Sequence, residues 1–253
     1  MPSENIQFPG HSGEMLAARL DTPKGNIHGY ALFAHCFTCG KDVLAAKRIC
    51  AALADRGYAV VRFDFTGLGE SEGNFSDTNF STNVADLVAA AAFMRQEYQA
   101  PSLLVGHSLG GAAVIVAAGQ LDEVTAVATI AAPSEPAHVE KQFGGQVDAI
   151  REAGELEVLL GGRPFLFKKQ FFDDLERNPI RQHVRTLGCA LLVMHSPQDA
   201  AVNIDNAKKI YETAKHPKSF VSLDNADHLL LKRQDAQYAA SVLAAWAQRY
   251  LTC

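Results

Sequence analysis

The sequence has little of what marks a secreted, membrane-spanning or nucleic-acid-binding protein. Its first residues show neither a cationic start nor a long apolar run, so they do not look like a secretory signal, and we expect a cytoplasmic protein. No stretch reaches the roughly 18 consecutive apolar residues that cross a bilayer, so we expect no membrane span. The formal net charge is −5 without a cluster of lysine or arginine, which argues against nucleic acid as a partner.

Cysteine is also scarce, with five residues in a chain of 253. Such a small, odd number does not build the disulfide framework of a secreted domain, so reduced thiols are the expectation. Two of the five form a C-x-x-C spacing, which leaves dithiol redox chemistry or half of a metal site open. No second pair follows at the spacing of a zinc site, so we expect no metal. The cysteines are Cys36 and Cys39, which form that spacing, and Cys50, Cys189 and Cys253.

Strand-like and helix-like segments alternate along most of the chain. With 48% hydrophobic residues, the sequence can build one large core. The alternation is typical of a mostly parallel sheet covered by helices, an α/β fold. We expect one domain over residues 1–253 with about eight strands, of which the first two form an antiparallel hairpin. The predicted strands are residues 6–8, 16–20, 30–34, 59–63, 102–105, 124–130, 190–195 and 219–223, and the predicted helices are 43–56, 83–98, 110–119, 204–214 and 234–251.

One short segment places a serine between glycines where a predicted strand meets a predicted helix. Gly106-His107-Ser108-Leu109-Gly110 matches G-x-S-x-G in the strand–turn–helix context that this motif requires. The turn strains the backbone of the serine and presents its hydroxyl above the sheet. A glycine-rich turn with an incidental serine is the alternative. Ser108 is therefore the candidate nucleophile.

A serine hydroxyl needs a neighbouring base, and that base needs an acid to orient it. Asp199 follows the predicted strand 190–195 and His228 follows the last predicted strand, so both lie at the carboxyl edge of the sheet with Ser108. We therefore predict Asp199 as the acid and His228 as the general base. The rival bases are His35, His107 and His195, and the rival acids are Asp64 and Asp227.

The negative charge that develops on a substrate carbonyl needs two backbone N–H donors. One comes from the residue after the nucleophile, and the other from the loop after the third strand. Leu109 and Phe37 are the candidate donors, and Cys36 replaces Phe37 if the register of the loop differs by one residue. Chemistry of this kind requires no cofactor.

Four stretches of the sequence resemble the α/β-hydrolase superfamily. The resemblance implies the α/β-hydrolase fold with a small cap, and a carboxylesterase-like activity carried by Ser108, Asp199 and His228. The four stretches are residues 32–35, similar to an H-G oxyanion loop, residues 64–71, similar to D-x-x-G-x-G-x-S, the Ser108 turn, and residues 199–202 with 226–228.

Two longer runs narrow this resemblance. Residues 31–42 and 62–69 look like the hydrolase half of bacterial proteins that fuse this domain to an OsmC-type thiol peroxidase domain. Cys36 stands where the superfamily usually has glycine. The resemblance implies that this cysteine is a trait of the subfamily.

The alternation of elements breaks between residues 133 and 186, where we expect a small helical cap. Short helices are predicted near residues 139–152 and 168–176. The segment concentrates phenylalanines that either line an acyl-binding pocket or pack the cap onto the sheet. The candidate substrate contacts are Phe37, His107, Phe143, Phe165, Phe167 and Phe171, with Phe172 as a further aromatic residue of the cap.

The leading hypothesis is hydrolysis of a small-molecule carboxylic ester with a short-to-medium acyl group, through an acyl-enzyme on Ser108. An acyltransferase or a peptidase would use the same residues, and the sequence does not separate them. A non-catalytic binding module on this fold is a third hypothesis, although such a module normally lacks one of the three catalytic residues. The oligomeric state stays open between monomer and homodimer.

Overall fold

Eight strands form one continuous sheet in the computed structural model, which describes residues 2–250. They are β1 (Ser3–Pro9), β2 (Met15–Asp21), β3 (Gly29–Ala34), β4 (Tyr58–Phe63), β5 (Leu103–His107), β6 (Ala126–Ile130), β9 (Ala190–His195) and β10 (Lys218–Ser222). Their order across the sheet is β1-β2-β4-β3-β5-β6-β9-β10. The pairs β1–β2 and β2–β4 are antiparallel and the other pairs are parallel. The expected mostly parallel sheet of about eight strands is therefore confirmed.

Helices cover both faces of this sheet. α1 (Leu44–Ala54) and α8 (Arg233–Ala247) pack on one face, and α2 (Phe80–Glu97), α3 (Leu109–Ala118) and α7 (Asp205–Thr213) pack on the other. Successive side chains of β3 alternate between the two layers, since Phe33 belongs to the first and Leu32 to the second. Both faces of each central strand are thus buried, which explains why these strands read as continuous apolar runs. The last helix was predicted over residues 234–251, and its final residue lies outside the described residues.

α3 lies deeper in the protein than an ordinary surface helix. All of its residues from Leu109 to Ala117 are buried, and they are small or apolar, so the helix can pack on every side. The residue before this helix is Ser108. A residue at the start of a fully packed helix has little freedom to move, because the interior of a protein is close-packed.

Residues 133–186, the cap segment from here on, contain a β-hairpin that the sequence analysis missed. The segment consists of a 3-10 helix (Pro136–Phe143), α4 (Val147–Ala153), β7 (Glu155–Leu160), β8 (Arg163–Lys168), α5 (Lys169–Arg177) and α6 (Arg181–Thr186). β7 and β8 pair antiparallel around Gly161 and Gly162, which both have positive φ. Two consecutive glycines between apolar runs are a hairpin signal. The cap segment is therefore largely helical, as expected, with an added hairpin between α4 and α5 that was not predicted.

The structure also corrects the expectation of reduced thiols. Cys36 and Cys39 form a disulfide with their Cα atoms 5.3 Å apart, whereas Cys50 and Cys189 are free. The Cys39 N–H donates a hydrogen bond of 3.1 Å to the Cys36 carbonyl, and this turn brings the two side chains together. A count of cysteines does not reveal such a local pair. Cys253 lies outside the described residues.

Within residues 2–250, no group of three or more histidine, cysteine or acidic side chains is arranged to hold a metal ion. None of the helices in that part of the chain is both long and apolar enough to cross a membrane.

Candidate active site

The Ser108 turn joins β5 to α3 at the carboxyl edge of the sheet. Ser108 has φ 55° and ψ −125°, a conformation that residues other than glycine rarely adopt. A Cβ atom on Gly106 would lie 2.3 Å from the Gly110 carbonyl oxygen, and one on Gly110 would lie 2.5 Å from the His35 carbonyl oxygen. Only glycine fits at these two positions, so the strained serine and the close approach of the chain explain the spacing of the motif.

The structure brings Ser108, His228 and Asp199 together. The Nε2 atom of His228 lies 3.0 Å from the Ser108 Oγ, and its Nδ1 atom lies 2.7 Å from an Asp199 carboxylate oxygen. With Nδ1–H donating to the carboxylate, Nε2 is left to accept the serine hydroxyl proton. The His228 side chain is 15% exposed, whereas the Asp199 side chain is completely buried. His228 therefore lies partly at the surface, and Asp199 contacts it from the interior of the protein.

The Asp199 carboxylate is held by the backbone as well as by His228. One of its oxygens accepts hydrogen bonds from the Ala201 and Val202 N–H groups, at 2.9 and 2.8 Å. Burial alone would raise the pKa of Asp199, but the hydrogen bonds from His228 and from Val202 outweigh burial and place the pKa below its ordinary value. Asp199 is thus an anion at neutral pH, which suits an acceptor that orients an imidazole.

His107 was predicted as a substrate contact, and the structure places it behind the base instead. Its side chain is buried, and its Nε2–H donates a hydrogen bond of 2.7 Å to the backbone carbonyl of His228. Burial lowers the pKa of His107 to about 4, so the ring is neutral at pH 7. A buried ring with this bond supports the loop that carries His228.

The other rival bases are also engaged elsewhere. The His195 Nε2–H donates to the Val202 carbonyl at 2.7 Å, and the His35 Nδ1–H donates to the Cys36 carbonyl at 2.8 Å. Both rings are buried, and burial lowers the pKa of each. Neither histidine makes a hydrogen bond to Ser108.

The rival acids have structural partners of their own. Asp227 accepts hydrogen bonds from the N–H groups of Leu229 and Leu231, two residues of its own loop. Asp64 is buried and receives both the backbone N–H and the ammonium group of Lys41. Neither carboxylate contacts a histidine that reaches Ser108.

The three backbone N–H groups predicted as oxyanion donors, those of Leu109, Phe37 and Cys36, are not used in hydrogen bonds within the described part of the chain. The Ser108 turn and the loop after β3 lie in direct contact, since the backbone of Gly110 packs against the Ala34 and His35 carbonyls. The pairing of Leu109 with Phe37, and the alternative with Cys36, both stay predictions.

Phenylalanine side chains fill the space between this loop and the cap segment. The Phe37 ring stacks on Phe171 with centroids 5.5 Å apart, and it also approaches Phe75, on a 3-10 helix (Phe75–Asp77) before α2. These three rings line a narrow cavity beside Leu109. Its volume of about 10 Å³ is close to the least that one water requires.

The remaining predicted contacts lie behind this cavity. Phe143 and Phe167 are buried and pack edge to face with centroids 4.7 Å apart, and Phe165, which is partly buried, contacts Phe75. Phe75 itself was missed, because nothing in the sequence around it indicates that its 3-10 helix faces the cap segment. A larger cleft of about 680 Å³ lies between α6 and α7, and neither this cleft nor the small cavity is lined by Ser108, Asp199 or His228, although the small cavity borders Leu109.

Comparison with known proteins identifies the family of this chain. A model of the alpha/beta hydrolase family matches residues 27–241. The chain belongs to that family. A crystal structure of the esterase domain of a Rhodothermus marinus protein is 50% identical to this hydrolase, with a TM-score of 0.82 over 100% of both chains. Est1E from Butyrivibrio proteoclasticus, solved with ferulic acid, is 19% identical with a TM-score of 0.79 over 97% of this chain and 99% of its own, a likeness of fold.

Several curated proteins with related sequences are lipases or thioesterases by name. Lysophosphatidylserine lipase ABHD12 of Danio rerio is 29% identical over 175 residues, which are 66% of this hydrolase and 42% of the relative. Palmitoyl-protein thioesterase ABHD10 of Mus musculus is 22% identical over 209 residues, which are 78% of this chain and 66% of the relative. The chain thus spans less than half of the Danio rerio protein. The family and these relatives support hydrolase activity.

Proposed function

We propose that this hydrolase cleaves carboxylic esters through an acyl-enzyme on Ser108. The observation that carries the proposal is the hydrogen-bonded series from Ser108 through His228 to Asp199, with distances of 3.0 and 2.7 Å. This arrangement can activate a serine hydroxyl at neutral pH. The Rhodothermus marinus neighbour is described as an esterase domain, which supports an ester as the substrate.

The reaction follows from the geometry. The Ser108 Oγ attacks the ester carbonyl while its proton passes to the Nε2 atom of His228, and Asp199 stabilises the imidazolium that forms. The Leu109 and Phe37 N–H groups donate to the oxyanion. His228 returns the proton to the departing alcohol, which leaves the acyl group on Ser108. A water then gives a proton to His228 and attacks the acyl carbonyl, and His228 returns that proton to the Ser108 Oγ as the acyl–Oγ bond breaks and the carboxylic acid leaves.

The cavity beside the loop favours a short acyl group. The cavity borders Leu109 and the loop after β3, and with about 10 Å³ between Phe37, Phe75 and Phe171 it holds about one water unless these rings move. We therefore propose acyl chains of short to medium length, the longer of which displace Phe171. This part of the proposal fails if kcat/KM rises steadily from acetate through to long-chain esters.

The test compares wild type with Ser108→Ala on p-nitrophenyl acetate, butyrate and octanoate, together with labelling by a fluorophosphonate probe. Ser108→Ala should lose both activity and label. Ser134→Ala, on the loop after the neighbouring strand β6, is the matched control and should keep both. Folded wild type that is inert to every ester and to the probe would contradict the proposal and favour a binding module.

The same residues would also serve an acyltransferase or a peptidase, which differ only in the acceptor or the bond that enters the site. Product analysis separates them. Transfer of the acyl group to an added alcohol in preference to water would indicate an acyltransferase, and faster cleavage of amides than of esters would indicate a peptidase.

A further inference from the structure

The loop after β3 is closed into a small ring by the Cys36–Cys39 disulfide, and the ring encloses Phe37 and Thr38. Thr38 has φ 56°, in the left-handed region. A β-branched residue is seldom found there, because its side chain crowds the backbone. The surrounding structure must therefore hold this conformation, and the disulfide joins the residues on either side of it.

Two residues outside the ring also bind carbonyl groups of the loop. On one side, the His35 imidazole donates to the Cys36 carbonyl, next to the place where the Gly110 backbone packs on the loop. On the other side, the Arg163 guanidinium of β8 donates to the Thr38 carbonyl. The Phe37 N–H thus lies on a short segment between the Ser108 turn and the cap segment.

We infer that the Cys36–Cys39 disulfide is a redox-sensitive clamp that positions the Phe37 N–H for the oxyanion. The inference rests on the proposed function. When the disulfide is intact, the ring holds Thr38 in its left-handed conformation and restricts the φ and ψ angles of Phe37, and with them the Cys36–Phe37 peptide that carries the Phe37 N–H. When the disulfide is opened, Thr38 can relax to negative φ and the φ and ψ angles of Phe37 are no longer restricted, so the Cys36–Phe37 peptide can rotate and its N–H can turn away from the reacting carbonyl.

The clamp opens by exchange with a dithiol. The thiolate of the dithiol attacks one sulfur, the Cys36–Cys39 S–S bond breaks, and the second thiol of the reductant closes its own disulfide. Two electrons and two protons pass from the dithiol to the protein, which ends with two thiols. Cys39 is partly exposed whereas Cys36 is buried, so the Cys39 sulfur is the one that a reductant reaches first.

The free cysteines do not share this chemistry. Cys50 is completely buried, and burial raises its pKa strongly. Burial also raises the pKa of Cys189 to about 11, so little thiolate forms at neutral pH. Among the cysteines of residues 2–250, exchange with a mild dithiol should therefore be confined to Cys36 and Cys39.

The experiment measures kcat and KM for p-nitrophenyl acetate in oxidised and dithiothreitol-reduced wild type, with the state of Cys36 and Cys39 assigned by peptide mass mapping. Loss of one oxyanion donor lowers kcat by about 10²–10³-fold. We expect reduction to lower kcat at least about tenfold with little change in KM, and to slow fluorophosphonate labelling of Ser108, because the phosphonyl oxygen uses the same donors. Reoxidation should restore both.

Two variants sharpen the result. The double variant Cys36→Ala/Cys39→Ala should have the low kcat of reduced wild type with or without dithiothreitol. Cys189→Ser, which leaves the loop intact, should respond to the reductant as wild type does. If the double variant does not fold, reduction and reoxidation of wild type still decide the question.

A disulfide with only a structural role would change the melting temperature on reduction and leave kcat at 25 °C unaltered. An unaltered kcat of this kind would overturn the inference. So would a reduced enzyme that is more active than the oxidised one, or oxidised protein in which no disulfide-linked Cys36–Cys39 peptide is found. A folded enzyme that is inert and unlabelled in both redox states would instead refute the proposed function, and the inference with it.

Discussion

The buried histidine behind the catalytic base should make this hydrolase less stable as the pH falls below neutral. Burial lowers the pKa of His107 to about 4, whereas a histidine in the unfolded chain has a pKa near 6.5. Between these two values the unfolded state binds more protons than the folded state, so the free energy of unfolding decreases as the pH decreases. The lowered pKa values of His35 and His195 act in the same direction.

The size of the effect follows from the two pKa values of His107. At pH 7 both states are mostly neutral, and the contribution is close to zero. At pH 5 the unfolded state is almost completely protonated and the folded state is about one tenth protonated, which corresponds to a loss of about 2 kcal/mol. The loss approaches about 3 kcal/mol near pH 4.

The assay is urea denaturation at pH 7 and pH 5, followed by the fluorescence of Trp246, the single tryptophan. His107→Gln removes the titrating ring and keeps an N–H donor for the His228 carbonyl. Between the two pH values, wild type should lose about 2 kcal/mol more than this variant. His183→Gln, at an exposed position, controls for the substitution itself. Equal losses in wild type and His107→Gln would refute the reasoning.

Three substitutions probe other parts of the site. Asp199→Asn should keep the fold and lower kcat for p-nitrophenyl acetate by about 10⁴-fold, because an amide favours the wrong tautomer of the base; a loss below tenfold would argue for another acid. Gly110→Ala places a Cβ 2.5 Å from the His35 carbonyl, so we expect at least about 3 kcal/mol less stability in urea, and a wild-type midpoint would disprove that contact. Lys41→Met leaves the buried Asp64 carboxylate without its cation, which should cost about 3–5 kcal/mol, and an unchanged unfolding midpoint would show that the pair contributes nothing.

The parts of the site that could be predicted from sequence are those set by short-range chain geometry and by sheet topology. The motif around Ser108 encodes a local turn, and the close contacts of Gly106 and Gly110 show why that turn needs its glycines. Asp199 and His228 were found through topology, since the carboxyl ends of parallel strands converge on one edge. The fold could also be predicted, because the sequences of buried strands and of helices differ in their hydrophobic periods and alternate along the chain.

The parts that could not be predicted depend on contacts between distant segments. The His107 ring and the carbonyl of His228 are 121 residues apart, and no local pattern links them. In the cap segment, the apolar residues of β7 and β8 alternate too briefly to separate strand from helix, which left the Gly161–Gly162 turn as the only signal. The disulfide of the loop after β3 was missed because the scarcity of cysteine was weighed over the whole chain.

Phe37 shows why the register of the oxyanion loop stayed open at the level of sequence. Its ring stacks on Phe171 of the cap segment, while its backbone lies in the ring that Cys36 and Cys39 close. In the inference made above, the direction of its N–H depends on a side chain held in the cap segment and on a covalent link, and the spacing of residues reveals neither of them. Because Phe37 takes part in both the proposed acyl cavity and the predicted oxyanion site, we expect that movement of the rings to admit a longer acyl chain also alters the proposed donor. Acyl-chain length should for this reason affect the rate of the chemical step as well as binding.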